Sequence, residues 1–363
     1  MTTSDNTPPT ATTPGPKRPH FLREPERFAL IGVWIILIIF FVVKVPDTFP
    51  TTANLSNMLG SQAVLLILAL GLIIPLRAGD YDLSVASVLT LSAVIVAALN
   101  VTHGWPVWQA SVMAVLAGAL VGALNGFIVA KFDINPFIVT LGIGTVVVGL
   151  SSIIADSRTV SGVDPALSDV MLSKPFLNIP VDFYYAVILC GIVWYLFQRT
   201  AFGQRLLFIG QNRDVARLNG VAVAKLRWVG LICSSTIAAF AGVVYVGTTR
   251  SADPGSGAGF LLPAFAAAFL GSTTLQIGRF NPWGTLIAVY FLVTGITGLQ
   301  LMGAQQYVQN LFYGGALVIA VVLSQTVRTR SARKRLANRD QAAVSPTNDL
   351  ANSEEPAERS SES

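Results

Sequence analysis

Ten apolar runs, most of them near the roughly 20 residues that a helix needs to cross a bilayer at 1.5 Å per residue, dominate the middle of this 363-residue chain. A soluble core cannot absorb that much apolar sequence. The composition agrees: hydrophobic residues make up 53% and charged residues only 12%, about half the usual share for a soluble domain. The predicted spans are Phe28 to Val45, Leu55 to Leu76, Leu83 to Asn100, Val107 to Ala130, Pro136 to Ala155, Val181 to Phe197, Trp228 to Thr248, Phe260 to Leu275, Pro282 to Met302 and Tyr307 to Ser324. The fold class they imply is all-α, a polytopic integral membrane protein of about ten helices. The first run is too long and too late for a cleaved signal peptide, so it reads as a retained span. Polar, Pro/Ser/Thr-rich or charged tails flank this domain, and residues 1–27 and 325–363 are expected to be disordered on the cytoplasmic side of a transmembrane domain covering 28–324.

Basic residues stay on the cytoplasmic side of short loops, which tests the span count. With the N-terminus inside, 20 of the 24 Lys and Arg fall in cytoplasmic segments and only Arg158, Lys174 and Arg250 fall outside, with Lys44 at a helix end. An error of one span would put the densest basic loop or the C-terminal tail on the wrong face. Both termini are therefore expected in the cytoplasm. The excess of basic residues sits beside apolar spans, and no folded basic domain is present to bind nucleic acid. Two loops are long enough to meet partners: residues 156–180 outside, and residues 198–227 inside, where Arg199, Arg205, Arg213, Arg217, Lys225 and Arg227 gather.

Polar residues near the spans are the candidate solute contacts, because ionisable groups at a helix centre cost about 2.5–3.5 kcal/mol on insertion scales. The stretch Pro75-Leu-Arg77-Ala-Gly79-Asp80-Tyr81-Asp82-Leu-Ser84 has two readings: a broken polar turn beside a solute path, or a cytoplasmic loop in which Asp82 or Ser84 caps the next helix. Asp80 and Asp82 could also form a proton-coupling pair, with Arg77 neutralising one of them. Asn125 stands among Gly118, Gly122 and Gly126, a four-residue spacing that lets a neighbouring backbone approach closely. Asn135 occupies a capping position before Pro136 at a helix start, and Thr140 lies one turn on. The pathway candidates are thus Asp82, Ser84, Asn125, Asn135 and Thr140.

Catalytic and cofactor patterns are missing. No Gly-x4-Gly-Lys-Ser/Thr loop is present to surround a nucleotide phosphate, no nucleophile elbow occurs, and Cys190, Cys233, His20 and His103 form no ligand cluster. No metal or cofactor site is expected in this chain, and it has no energy source of its own.

Four segments in order resemble the ribose-type permease family of bacterial ABC importers, membrane subunits for ribose, xylose, galactose and related sugars and polyols, within the branched-chain amino acid and sugar permease superfamily. They are Gly79-Asp-Tyr-Asp-Leu-Ser-Val-Ala-Ser87, similar to the family's Gly-Gly-Ile-Asp-Leu-Ser-Val-Gly-Ser; Gly122-Ala-Leu-Asn-Gly-Phe-Ile-Val-Ala-Lys131; Pro136-Phe-Ile-Val-Thr-Leu-Gly142; and Thr200 to Gly220. The likeness covers about Phe28 to Ser324. It implies a type II importer-like fold in the bacterial inner membrane and a separate ATP-binding subunit that uses ATP and Mg. It also implies an extracytoplasmic solute-binding protein and a homodimer or a paired second permease. The loop matched by Thr200 to Gly220 is the one the family docks on its ATPase, and here Gly203, Arg205, Gly210, Asn212, Arg213, Asp214, Arg217 and Gly220 carry it. Asp80-Tyr81 replace the family's Gly-Ile, and Leu261-Leu-Pro-Ala-Phe-Ala-Ala-Ala268 lacks its usual acidic residue, so the ligand is not read from the likeness. Rival classes are an ion-coupled secondary transporter using Asp80 and Asp82, and a membrane enzyme acting on lipid.

Overall fold

Each apolar run becomes a helix, because within a bilayer only internal hydrogen bonds can satisfy the backbone. The computed structural model describes residues 25–323, so the predicted tails lie outside the described residues apart from 25–27 and residue 324 closes the last predicted span beyond them. Seven helical segments are long and apolar enough to cross a membrane. They are α2 with α3 (Thr52–Ser61 and Ala63–Arg77, joined at Gln62), α4 with its π-helical end (Val85–Ala97 and Ala98–Thr102), α5 (Val107–Phe132), α6 (Pro136–Ile154), α8 (Val181–Arg199), α11 (Val223–Thr249) and α13 (Pro282–Leu301). Three shorter apolar helices match the first, eighth and tenth predicted spans: α1 (Ala29–Lys44), α12 (Leu261–Gly271) and α14 (Tyr307–Leu323). Between α6 and α8 lies α7 (Pro165–Met171), and between α8 and α11 lie α9 (Ala201–Gln211) and α10 (Arg213–Leu218). A two-residue strand, β1 (Val160–Ser161), pairs antiparallel with β2 (Ser251–Ala252).

Helix α3 is the axis of the bundle: every residue from Ala63 to Arg77 is buried. Helices α8, α11, α12 and α13 pack against it, while α5, α6 and the far side of α8 turn Leu120, Val146, Ile153 and Ile188 outward. Such outward apolar faces explain the surplus of hydrophobic sequence: these side chains suit lipid or a second membrane subunit. The glycines of α5 let it pack closely on α11. A Cβ on Gly122 would lie 2.7 Å from the Leu231 carbonyl oxygen, and one on Gly126 would lie 2.3 Å from the Trp228 ring.

Among the described residues, loop contacts tie the bundle together at two ends. At one end, Leu275 N donates to Arg27 O, Gln198 to Gln276, and Arg227 to both Asp80 and Asp133. At the other, Ser56 donates to Asn178 O, Asp164 N to Asn100, Arg250 to Val163 O, and β1 pairs with β2.

Two predicted boundaries shift, each for a physical reason. Helix α11 starts at Val223, not Trp228, and takes Arg227 into the bundle, where it is buried by its ion pairs rather than solvated in a loop. The eighth span is broken. Helix α12 has 11 residues, about 16 Å of rise, roughly half the bilayer core. The preceding segment comes in from β2 as irregular backbone, and Gly257 N donates to Thr90 Oγ1 of α4 at 2.9 Å. A Cβ on Gly257 would stand 2.1 Å from Ala86 O, so only glycine lets the chain pass that close.

Candidate functional site

The turn between α3 and α4 is built from Pro75 onward. Pro75 lies in the last turn of α3, and Gly79 at φ +80° reverses the chain. Arg77 does not neutralise either acid, although its position in the sequence suggests it. Its guanidinium donates to the carbonyls of Gly203 (3.0 Å), Phe280 (3.3 Å) and Phe197 (3.3 Å) and lies 4.2 Å from the Phe197 ring centroid. The α3 terminus is thereby tied to α8 and α9.

Asp80 is fully buried and held by two other arginines. Arg227 Nε donates to Oδ2 at 2.8 Å and Arg227 Nη2 to Oδ1 at 3.1 Å, the bidentate geometry that suits guanidinium and carboxylate. Arg213 Nη2 reaches Oδ1 at 2.5 Å and Gly79 O at 3.2 Å. Arg227 also donates to Asp133 at 3.2 Å. Both oxygens of Asp80 are thus held by cationic donors, one from α10 and one from α11.

Asp82, two residues on, is fully buried and makes no ion pair among the described residues. Its Oδ1 accepts from Ser84 N (3.0 Å) and Ser84 Oγ (2.6 Å), and Ser84 Oγ accepts from Asn125 Nδ2 (2.9 Å). The capping role thus falls to the carboxylate of Asp82; the Ser84 side chain makes no cap of its own. Burial pushes the Asp82 carboxyl above its usual range, opposed by the Ser84 hydroxyl, the nearby Ser234 hydroxyl and the Ser84 amide. Asp82 Oδ2, Asn125 Oδ1 and the hydroxyls of Ser234 and Ser235 on α11 make no hydrogen bond among the described residues. Thr140 of α6 accepts from Leu83 N at 3.0 Å, and its hydroxyl donates to Pro136 O at 2.8 Å. One polar patch thus joins Asp82, Ser84, Asn125 and Thr140, four of the five pathway candidates, to two serines that a serine-tolerant apolar helix gave no reason to single out.

Asn135 stays apart from that patch. It is exposed and caps α6, accepting from Phe137 N at 3.0 Å with Pro136 in the first turn. Tyr81 lies between Asp80 and the polar patch; the residue is 38% exposed and its ring is stacked 6.4 Å from both Phe265 and Phe269 of α12, at interplanar angles of 22° and 28°.

The lobe of α9 and α10 divides its residues between scaffold and surface. Gly203 lets α9 fold back on α8, since a Cβ there would meet Leu196 O at 2.3 Å; Gly210 lets it cross α3, with Arg77 O at 2.2 Å. Asn212 caps α10 by accepting from Asp214 N and Val215 N, each at 3.0 Å, and Gly220 ends it at φ +75°. Arg213 turns inward to Asp80. Arg205, Asp214 and Arg217 remain exposed, beside Val215 at 42% and Leu218 at 87%, two apolar residues that a reading based on charge alone passes over.

A bundle of apolar helices with buried polar side chains in its interior and a two-helix lobe at one end defines a membrane transport component. Residues 54–321 match the family model described as the branched-chain amino acid transport system / permease component, and the chain belongs to that family. It is 32% identical over 311 residues to a ribose import permease protein of Bacillus subtilis, covering 85% of this chain and 96% of that one. A D-allose transport system permease protein of Escherichia coli is 29% identical, covering 83% and 92%. A galactose/methyl galactoside import permease protein of Salmonella typhimurium is 28% identical, covering 84% and 95%. Among solved structures, a metal-chelate type ABC transporter in an inward-facing conformation aligns over 85% of this chain and 99% of that one at a TM-score of 0.46 and 14% identity.

Proposed function

We propose that this chain is the membrane-spanning permease subunit of a bacterial ABC importer, moving a monosaccharide or related polyol across the cytoplasmic membrane by alternating access. The observation that carries the reading is near full-length similarity to permeases named for ribose, allose and galactose, on a chain that also belongs to the permease family. A neutral polyhydroxy solute suits the interior here, where Ser84, Asn125, Thr140, Ser234 and Ser235 are buried polar groups and the buried Asp80 and Arg227 are paired with each other.

The remaining parts of the reading are a topology and a set of partners. Ten spans, with both termini in the cytoplasm, agree with the sorting of loop contacts into two ends and with the bias of basic residues. The end that carries Arg77, Asp80, Arg213 and Arg227 is then cytoplasmic, and the lobe of α9 and α10 presents Arg205, Asp214, Val215, Arg217 and Leu218 to a separate ATP-binding subunit, which supplies the hydrolysis and binds ATP and Mg. A solute-binding protein delivers cargo to the opposite end, where α7 and the β1–β2 pair lie. Two permease copies, or this chain and a second permease, serve two ATP-binding subunits. The ion-coupled alternative loses Asp80 to its two arginines.

Proteoliposomes test the reading. With its ATP-binding subunit inside and the loaded solute-binding protein outside, the permease should accumulate labelled sugar only when ATP is present. Accumulation by this chain alone under a proton or sodium gradient would sink the proposal.

A further inference from the structure

We propose that Asp80 and Arg213 form the mechanical link by which the lobe of α9 and α10 moves the turn that carries Tyr81 and Asp82. The inference rests on the permease reading above and assigns positioning residues within it. Arg213 is the first residue of α10, and a single nitrogen, Nη2, joins it to both Gly79 O and Asp80 Oδ1. The four residues after Asp80 reach three further elements. Tyr81 stacks on Phe265 and Phe269 of the broken α12, Leu83 N binds Thr140 of α6, and Asp82 connects through Ser84 to Asn125 of α5. A displacement of α10 therefore pulls on one short segment that touches α5, α6 and α12 together. Gly79, left-handed at φ +80°, turns that segment away from α3, to which Gly79 N and Asp80 N stay bonded through Leu76 O and Pro75 O. The link also has a fixed anchor, because Arg227 holds Asp80 from α11 through two separate hydrogen bonds.

Burial distinguishes the two arginines. Arg227 is 3% exposed and belongs to the bundle, whereas the Arg213 side chain is 40% exposed and reaches in from the lobe. The resemblance puts glycine at position 80 in the ribose-type pattern, so the carboxylate that closes this link is a departure of this chain from that pattern.

The test compares Arg213→Gln, Arg213→Lys and Asp80→Asn in the complete complex in proteoliposomes, reading sugar accumulated per ATP hydrolysed. Because both Arg213 bonds come from one nitrogen, a lysine amine can replace them and a glutamine cannot hold the charge. Arg213→Gln should lower the ratio by about tenfold, within the usual range of a coupling between two sites, while the ATP-binding subunit still co-purifies. Arg213→Lys should restore most of it, and Asp80→Asn should match Arg213→Gln or exceed it. An unchanged ratio in Arg213→Gln overturns the link, as does loss of the ATP-binding subunit in that variant, which would make Arg213 a docking residue. A lysine variant as poor as the glutamine one overturns it too. A wild-type complex that moves no sugar overturns both the permease reading and the link, whereas a working wild type with an equally coupled Arg213→Gln removes the link alone.

Discussion

Gly122→Ala is the sharpest probe of the packing that holds the polar patch in place. The new methyl would lie 2.7 Å from Leu231 O, 2.8 Å from Ser235 Cβ and 2.9 Å from Ile232 Cα, where ordinary contact begins near 3.4 Å. Two of these three atoms are backbone of α11, and the third is fixed to it, so no rotamer change can make room. Helices α5 and α11 must separate by roughly half an ångström, and overpacking of this kind costs about 1–3 kcal/mol. Alanine gains about 1 kcal/mol of helix propensity over glycine, which leaves a net loss of up to about 2 kcal/mol, and about 1–3 kcal/mol relative to an alanine substitution that meets no neighbour. Asn125 lies one turn further along the same helix, and its 2.9 Å bond to Ser84 would stretch towards the limit of hydrogen bonding. Unfolding of the purified protein in mixed detergent micelles, titrated with sodium dodecyl sulfate, measures the loss. Gly32→Ala is the control: nothing lies within 4 Å of its Cβ position, so the propensity gain should appear there unopposed. A Gly122→Ala protein as stable as Gly32→Ala would refute the claim that glycine at this position sets the helix separation.

Two other substitutions separate stability from assembly. Arg227→Leu strips Asp80 of its bidentate partner and Asp133 of its contact, leaving a buried carboxylate with only the half-exposed Arg213, and should cost about 3–5 kcal/mol in the same titration. Adding Asp80→Leu to it should recover a large part of that loss, since the penalty is an unpaired buried charge; a double variant no better than the single one contradicts this account. Leu218→Asp, on a residue 87% exposed, should leave stability within roughly 0.5 kcal/mol yet weaken co-purification of the ATP-binding subunit, and unimpaired association would remove α10 from the proposed docking face.

The spans were legible because crossing a bilayer imposes a length and a composition that local sequence must meet on its own. Six of the ten predicted runs lie within a few residues of single long apolar helices, and Leu55 to Leu76 coincides with the joined pair α2 and α3. Depth was not legible in the same way. Phe260 to Leu275 is as apolar as its neighbours, yet only Leu261–Gly271 is α-helical there, because the carbonyls of Gly271 and Thr274 are taken at 3.1 Å each by the side chain of Asn281, a residue beyond the run. Ser84, Asn125 and Thr140 stood out as polar groups in apolar surroundings. Their convergence on the turn at Tyr81 to Ser84 did not, since it is made by the packing of α5 and α6 against the start of α4.

Charge misled where pairing was remote. Arg227 looked like one more loop cation because it ends a basic stretch, and a lone arginine in a buried helix is costly enough to be set aside. Its compensation comes from Asp80 and Asp133, 147 and 94 residues away in sequence, and no local pattern reports either. The same remoteness explains why Asp80 read as half of a proton-coupling pair with Asp82. Two carboxylates spaced by one residue suggest shared titration, but the turn sends them in different directions, one to a cluster of arginines and the other to a chain of hydroxyl and amide groups. A single tyrosine between them faces the aromatic side of α12. The turn is therefore the point where charged, polar and aromatic contacts from separate helices are joined by consecutive residues.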